Sequence, residues 1–183
     1  MIEEEEFGLF LAALHFSAGK HSWQRRKDAA HTPYINHPIQ VAGLLWSAGG
    51  IRDISILIAA ILHDTVEDTD ASPEEIRNQF GGQVLGFVLE VTDDKSLPKE
   101  ERKRLQIIHA PQLSPAAKCI KLADKICNLR DIYQSPPADW PPERIQKYFR
   151  WSEEVVEGLR GANPTLEACY DTELARAKDK YFA

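Results

Sequence analysis

The chain lacks any apolar run of the roughly 18 residues needed to cross a bilayer as a helix, and no membrane partner is expected of it. Its first residues, Met1-Ile2 followed by Glu3 to Glu6, are acidic where secretory and mitochondrial leaders are basic. The expected location is therefore the cytoplasm. Cysteine is scarce. Cys119, Cys127 and Cys169 are odd in number and widely spaced, which excludes a disulfide framework. No Cys-x-x-Cys pair exists to build a thiolate zinc site. Cys119 and Cys127 lie in apolar helical sequence and are expected to be buried and inert. Positive charge is in deficit, with 22 Lys and Arg against 28 Asp and Glu and a formal net charge of -6. That balance argues against a nucleic-acid backbone as partner. No alternating strand of useful length, internal repeat or low-complexity linker is visible.

What remains is helical periodicity over nearly the whole of the 183 residues, a length that suits one domain. Phe7, Phe10, Leu11, Leu14 and Ala18 form a stripe expected to be buried on a first helix, with Gly19 as its stop. Pro38 suits the first turn of a second helix running toward Gly49-Gly50. Asp53 can cap a third, from Ile54 to about Asp64. Ser72-Pro73-Glu74-Glu75 reads as a capping box, and Gly81-Gly82 as a break before a segment from Val84 to Val91. Further helices are expected over Pro98–His109, from Ser114-Pro115, over about Glu143–Leu159, and from Pro164 to the end. The expected fold is all-α, a single domain over residues 1–183 with about 8 to 10 helices.

The third helix carries the chemistry. Ile54 to Leu62 is apolar almost all round, so it belongs in the core, yet it runs into His63-Asp64-Thr65-Val66-Glu67-Asp68. Buried carboxylates cost several kcal/mol each unless paired or bound to a metal. If the helix continues, His63 and Glu67 share one face and Asp64 and Asp68 the next. His63 and Asp64 then point about 100° apart and can converge on one ion only with ligands from elsewhere. His37, held in Pro33-Tyr34-Ile35-Asn36-His37-Pro38, is one candidate, although a histidine read alone there is more often structural. Asp124 is another. It lies on a polar stripe with Lys121, Lys125 and Asn128 that in isolation reads as a solvated face. Two basic clusters, Lys20 to Lys27 and Lys99 to Arg104, suit a small, highly charged anion better than a polymer, or are simply solvated helix ends.

The order His37, His63-Asp64, Asp124 resembles the metal-binding set of HD-domain phosphohydrolases. Five segments resemble more closely the hydrolase domain of the RelA/SpoT alarmone enzymes: Lys20 to Lys27, Thr32 to Pro38, His63 to Thr69, Val91 to Lys95, and Lys121 to Arg130. The likeness runs from about residue 11 to about residue 159, and the short chain is similar to the stand-alone small alarmone hydrolases of metazoan SpoT homolog type. The resemblance implies an HD-domain helical bundle. It also implies Mn²⁺-dependent hydrolysis of the 3′-pyrophosphate of guanosine tetra- or pentaphosphate, leaving GDP or GTP and pyrophosphate. Carried over position by position, His37, His63, Asp64 and Asp124 are the metal ligands and Glu67 with Asp68 the catalytic pair. Arg25 matches a residue that packs on the base and Asn128 one that holds the ribose. Arg26, Lys27 and Tyr34 match residues near the substrate. Two imidazoles and two carboxylates suit Mn²⁺ or another first-row ion better than a closed zinc site. One alternative keeps the metal site but removes a phosphate from NADPH or another nucleotide. Another is a non-catalytic module that senses a nucleotide.

Overall fold

The computed structural model describes residues 3–182. Among these, the chain is helical nearly throughout, in the order α1 (Glu4–Lys20), α2 (Asn36–Ser47), α3 (Ile54–Leu62), α4 (Thr65–Asp68), α5 (Pro73–Val91), α6 (Lys99–His109), α7 (Pro115–Gln134), α8 (Pro142–Glu157) and α9 (Pro164–Tyr181). A 3₁₀ turn, Ala110–Gln112, follows α6. The only β pairing among the described residues is an isolated bridge between Arg25 and Pro33. No described helix is long and apolar enough to cross a membrane.

Helix α3 lies at the centre. Leu57 to Leu62 are all buried, and α1, α2, α5 and α7 pack around them. Burying each of Leu57, Ile58, Ile61 and Leu62 contributes about 1.5–3 kcal/mol. Helices α8 and α9 close the far side against α7, through Phe149, Val155, Leu166 and Tyr170. Local signals set the helix starts: the Asp53 carboxylate accepts from Ser55 N at 2.8 Å, and Ser72 with Glu75 forms the expected capping box. Cys119 and Cys127 are buried.

Two expectations need correction. The stripe on α1 is not buried as a whole: Phe7 is 54% and Leu11 48% exposed, and only Ala13 and Ser17 are fully covered. The helix presses one edge onto α3 and leaves the rest beside an open apolar groove shared with Ile39, Trp46 and Ile54. The break expected at Gly81-Gly82 is present. Gly81, at φ 89° and ψ 166°, puts a kink inside α5, a conformation glycine adopts without steric cost.

The second correction concerns the site. Helix α3 stops at Leu62 instead of reaching Asp64. The carbonyls of Ala60, Ile61 and Leu62 accept from side chains, His63 Nδ1 at 2.7 Å, Ser17 Oγ at 2.9 Å and Thr65 Oγ1 at 2.7 Å. Those three carbonyls would otherwise receive the amides of Asp64, Thr65 and Val66. The chain turns at His63-Asp64 and restarts as the short α4, so Glu67 does not continue the face of His63.

Candidate active site

The turn at the end of α3 aims His63 and Asp64 at the first turn of α2, which carries His37, and at the middle of α7, which carries Asp124. His37 Nε2 lies 3.0 Å from Asp124 Oδ1 and 3.8 Å from Asp64 Oδ2, while His63 Nε2 lies 3.0 Å from Asp64 Oδ2 and 3.9 Å from Asp124 Oδ1. Ligand atoms of His37, His63 and Asp124 all fall within 4.8 Å of one another, with Asp64 at the edge of the same space. His37 and His63 are buried and come from elements 26 positions apart in sequence, as the fold alone could arrange.

The donor set fits a divalent cation. His63 Nδ1 donates to the Ala60 carbonyl, so the Nε2 lone pair faces inward, and that buried Nε2 makes no hydrogen bond. Tyr34 donates its hydroxyl to Asp64 Oδ2 at 2.5 Å, and Asn128 Nδ2 donates to Asp124 Oδ1 at 2.5 Å, so both carboxylates are held from outside. Without a cation the positive charge falls on His63. Burial disfavours a charged His63, but the Asp64 carboxylate, then Asp124, outweigh it and push its pKa up to about 9. Burial likewise opposes ionisation of Asp64 and Asp124, yet His63 and His37 hold the first below its usual range, and Lys125 with His37 hold the second well below.

A pH dependence follows. A cation needs the unprotonated Nε2, and in the metal-free protein His63 keeps its proton until pH approaches about 9. Divalent-metal affinity should therefore rise with pH from neutrality toward 9, by up to about tenfold per pH unit, with release of a proton. Calorimetric titration in buffers of different ionisation enthalpy reads that proton directly. Pure metal uptake with a pH-independent affinity is the contrary result.

Beside this centre opens a cavity of about 390 Å³ whose walls include Arg25, Arg26, Lys27, Tyr34, Asp68 and Asn128. The substrate-contact candidates from the sequence therefore share one space. Arg26 is not a free cation there: it donates to Asn128 Oδ1 at 3.0 Å and to Asp131 Oδ2 at 2.5 Å, and it lies over the Tyr34 ring. Arg25 is turned onto the carbonyls of Ser22 and Gln24. Lys20 leaves the basic cluster altogether and pairs with Asp70 and Glu75.

Glu67 and Asp68 point in different directions. Asp68 borders the 390 Å³ cavity, accepts from Gln24 Nε2 at 3.1 Å and pairs with Lys95. Glu67 borders a second polar cavity of about 490 Å³, which also holds Lys27, Lys99, Arg102, Lys103, Arg144 and Lys147. Lys27, Trp140, Tyr148 and Trp151 line both spaces. Burial, opposed by the Asp93 amide and reinforced by the charges of Asp93, Asp64 and Asp68, pushes Glu67 up to about 7.

Several site residues escaped the sequence reading. Lys125 is buried, 3.3 Å from Asp124 Oδ2 and over the Trp151 ring, so the polar stripe of α7 is no solvated face. Asp131 continues that stripe three residues beyond Asn128, a spacing that could have revealed it. Trp140, Tyr148 and Trp151 carry no local signal, since any amphipathic helix after a proline-rich loop looks the same.

A sequence model of the HD domain matches residues 13–148. The chain is 56% identical over 163 residues to guanosine-3′,5′-bis(diphosphate) 3′-pyrophosphohydrolase MESH1 of Xenopus tropicalis, covering 89% of this chain and 91% of the relative. It is 56% identical over 162 residues to the protein of the same name in Homo sapiens, covering 88% and 90%. A solved structure described as a metazoan ortholog of SpoT that hydrolyses ppGpp superimposes with a TM-score of 0.90 at 50% identity, over 92% of this chain and 94% of that one. The buried imidazole–carboxylate centre, the helical fold and these likenesses agree, and the chain belongs to the HD-domain family, a family that implies a divalent metal, among its metazoan SpoT homologs.

Proposed function

We propose that this chain hydrolyses the 3′-pyrophosphate of guanosine tetra- or pentaphosphate, using Mn²⁺ held by His37, His63, Asp64 and Asp124. The observation that carries the proposal is the convergence of His37, His63 and Asp124, with Asp64 at their edge, beside a cavity walled by Arg25, Arg26 and Lys27. The names of the relatives at 56% identity support the same substrate. Mixed imidazole and carboxylate ligation suits Mn²⁺ or another first-row divalent ion better than a closed thiolate zinc site. When bound, the cation lowers the pKa of a coordinated water and neutralises charge on the phosphate.

The chain's own groups do the rest. Glu67 takes a proton from the attacking water, which adds to the phosphorus joined to the ribose 3′-oxygen. The bond between that phosphorus and the 3′-oxygen breaks, the leaving oxygen takes a proton from solvent to become the 3′-hydroxyl, Glu67 returns its proton to solvent, and the other product is pyrophosphate. Asp68, steadied by Gln24 and Lys95, orients the water and the phosphate from the other side. Lys27, which lines both cavities, meets phosphate oxygens. Arg25 covers the base, Tyr34 stays protonated because burial and Asp64 raise its pKa, and Asn128 faces the ribose.

The test is product identification with Mn²⁺ from guanosine tetraphosphate and, in parallel, from NADPH. Pyrophosphate from the first, abolished by chelation and restored by Mn²⁺, is the expected outcome. Orthophosphate from NADPH with no turnover of the tetraphosphate moves the activity to a nucleotide phosphatase. Tight binding without turnover of either makes the chain a nucleotide sensor.

A further inference from the structure

Helix α6 buries none of its residues fully; it packs on α8, and half-buried Ile107 reaches the core. Its polar side chains face the other way, toward the segment that carries Glu67. Arg102 and Gln106 lie four residues apart on one face, both half-buried and turned toward the end of α5. Arg102 Nη1 donates to Glu67 Oε1 at 3.5 Å. The Asp93 amide, just past α5, donates to Glu67 Oε2 at 3.1 Å. Gln106 Nε2 in turn holds the Asp93 carboxylate, and Lys121 from α7 lies 3.9 Å from it while donating to the Val91 carbonyl at 2.9 Å. Each carboxylate oxygen of Glu67 is thus gripped from a separate element, and both grips lead back to α6.

We infer that Arg102 is a positioning residue for Glu67, and that α6, through Arg102 and the Gln106–Asp93 contact, fixes the direction in which that carboxylate meets the attacking water. A carboxylate at the tip of a four-residue helix rotates freely unless both oxygens are held. A base turned away by about 1 Å costs on the order of a hundredfold in rate. The neighbouring charges give the guanidinium a second effect. Glu67 faces Asp64 and Asp68 from its own segment and Asp93 from the end of α5. The cations nearby are Lys95 on Asp68, Lys121 beside Asp93, Lys27, Lys99, Lys103, Arg144 and Lys147 on the shared cavity, and Arg102 itself. Arg102 is the cation that touches Glu67. Its loss leaves three carboxylates around the base with no direct counter-charge and moves the acidic limb of the rate profile to higher pH.

The inference rests on Glu67 acting as the base in the proposed hydrolysis. The experiment compares R102Q and R102K with the wild type, with Mn²⁺ and guanosine tetraphosphate, measuring kcat, KM, metal content and the pH profile. R102Q should lose about 10- to 100-fold in kcat with KM and metal content nearly unchanged, and its acidic limb should shift upward. R102K, which keeps a shorter cation, should recover part of both. A raised KM with kcat and limb unchanged overturns the inference and makes Arg102 a phosphate contact of the cavity it lines. An R102Q variant equal to wild type in kcat also overturns it. If R102Q is unfolded by circular dichroism, R102K and Q106L carry the test, because Q106L frees the Asp93 grip alone and should move kcat in the same direction. A wild type that turns over no tetraphosphate instead refutes the underlying reading, a separate result.

Discussion

Asp64→Ala is expected to abolish turnover, lowering kcat/KM by about a thousandfold or more, while the chain stays folded. Asp64 lies 3.0 Å from His63 Nε2 and 3.8 Å from His37 Nε2, so its removal takes one of two carboxylates from the proposed metal set. The cation supplies several kcal/mol of charge stabilisation, and about 4 kcal/mol is a thousandfold in rate. The fold is expected to survive because Asp64 lies outside the apolar cluster built on Leu57 to Leu62, and buried His63, left without its nearest carboxylate, can shed its proton and stay neutral. The hydroxyl of Tyr34 loses its acceptor, a cost of about 1–3 kcal/mol. Metal content after dialysis, circular dichroism and turnover are the three readings. Folded protein that has lost both metal and activity is the expected pattern, and a folded D64A variant with wild-type activity contradicts it.

Glu67→Gln separates base from ligand. Glutamine keeps the size of Glu67 and can still accept from the Asp93 amide, but it cannot take a proton from water. A fall in kcat of about 10²- to 10⁴-fold is expected, with metal content and KM close to wild type. The pH profile adds a signature. Glu67 sits at about 7 in the metal-free protein because it is buried among carboxylates, and a nearby cation favours its charged form. The wild-type rate should therefore fall as pH drops through an acidic limb at or below about 7, since protonation removes the base. E67Q should lack that limb. An E67Q variant that retains more than a tenth of the wild-type kcat assigns the base elsewhere.

Much of this was legible in the chain because its strongest signals are local. Caps at Asp53, Ser72 and Ser114 and the apolar run Ile54 to Leu62 fix helices whatever surrounds them. His63 and Asp64 were readable for a different reason, since an apolar helix that ends in four ionisable groups has few folded solutions, whereas His37 and Asp124 stood out only through the resemblance to HD-domain phosphohydrolases. The geometry was not readable. The break after Leu62 depends on the Ser17 hydroxyl, 44 residues away, reaching the Ile61 carbonyl, a contact no local pattern encodes. The face of α1 was misjudged because periodicity reports which residues share a side and not whether a neighbour covers it, as exposed Phe7 and Leu11 demonstrate. Likewise the stripe from Lys121 to Asn128 looked like a solvated face until α2, α3 and α8 closed over Asp124 and Lys125.

The central claim is that water attacks the phosphorus attached to the ribose 3′-oxygen. Hydrolysis of guanosine tetraphosphate in ¹⁸O-water with Mn²⁺, followed by mass analysis of both products, tests it most directly. One ¹⁸O atom in the pyrophosphate and none in the nucleotide is the predicted result. Label on the 3′-hydroxyl of the nucleotide, or release of orthophosphate in place of pyrophosphate, contradicts it.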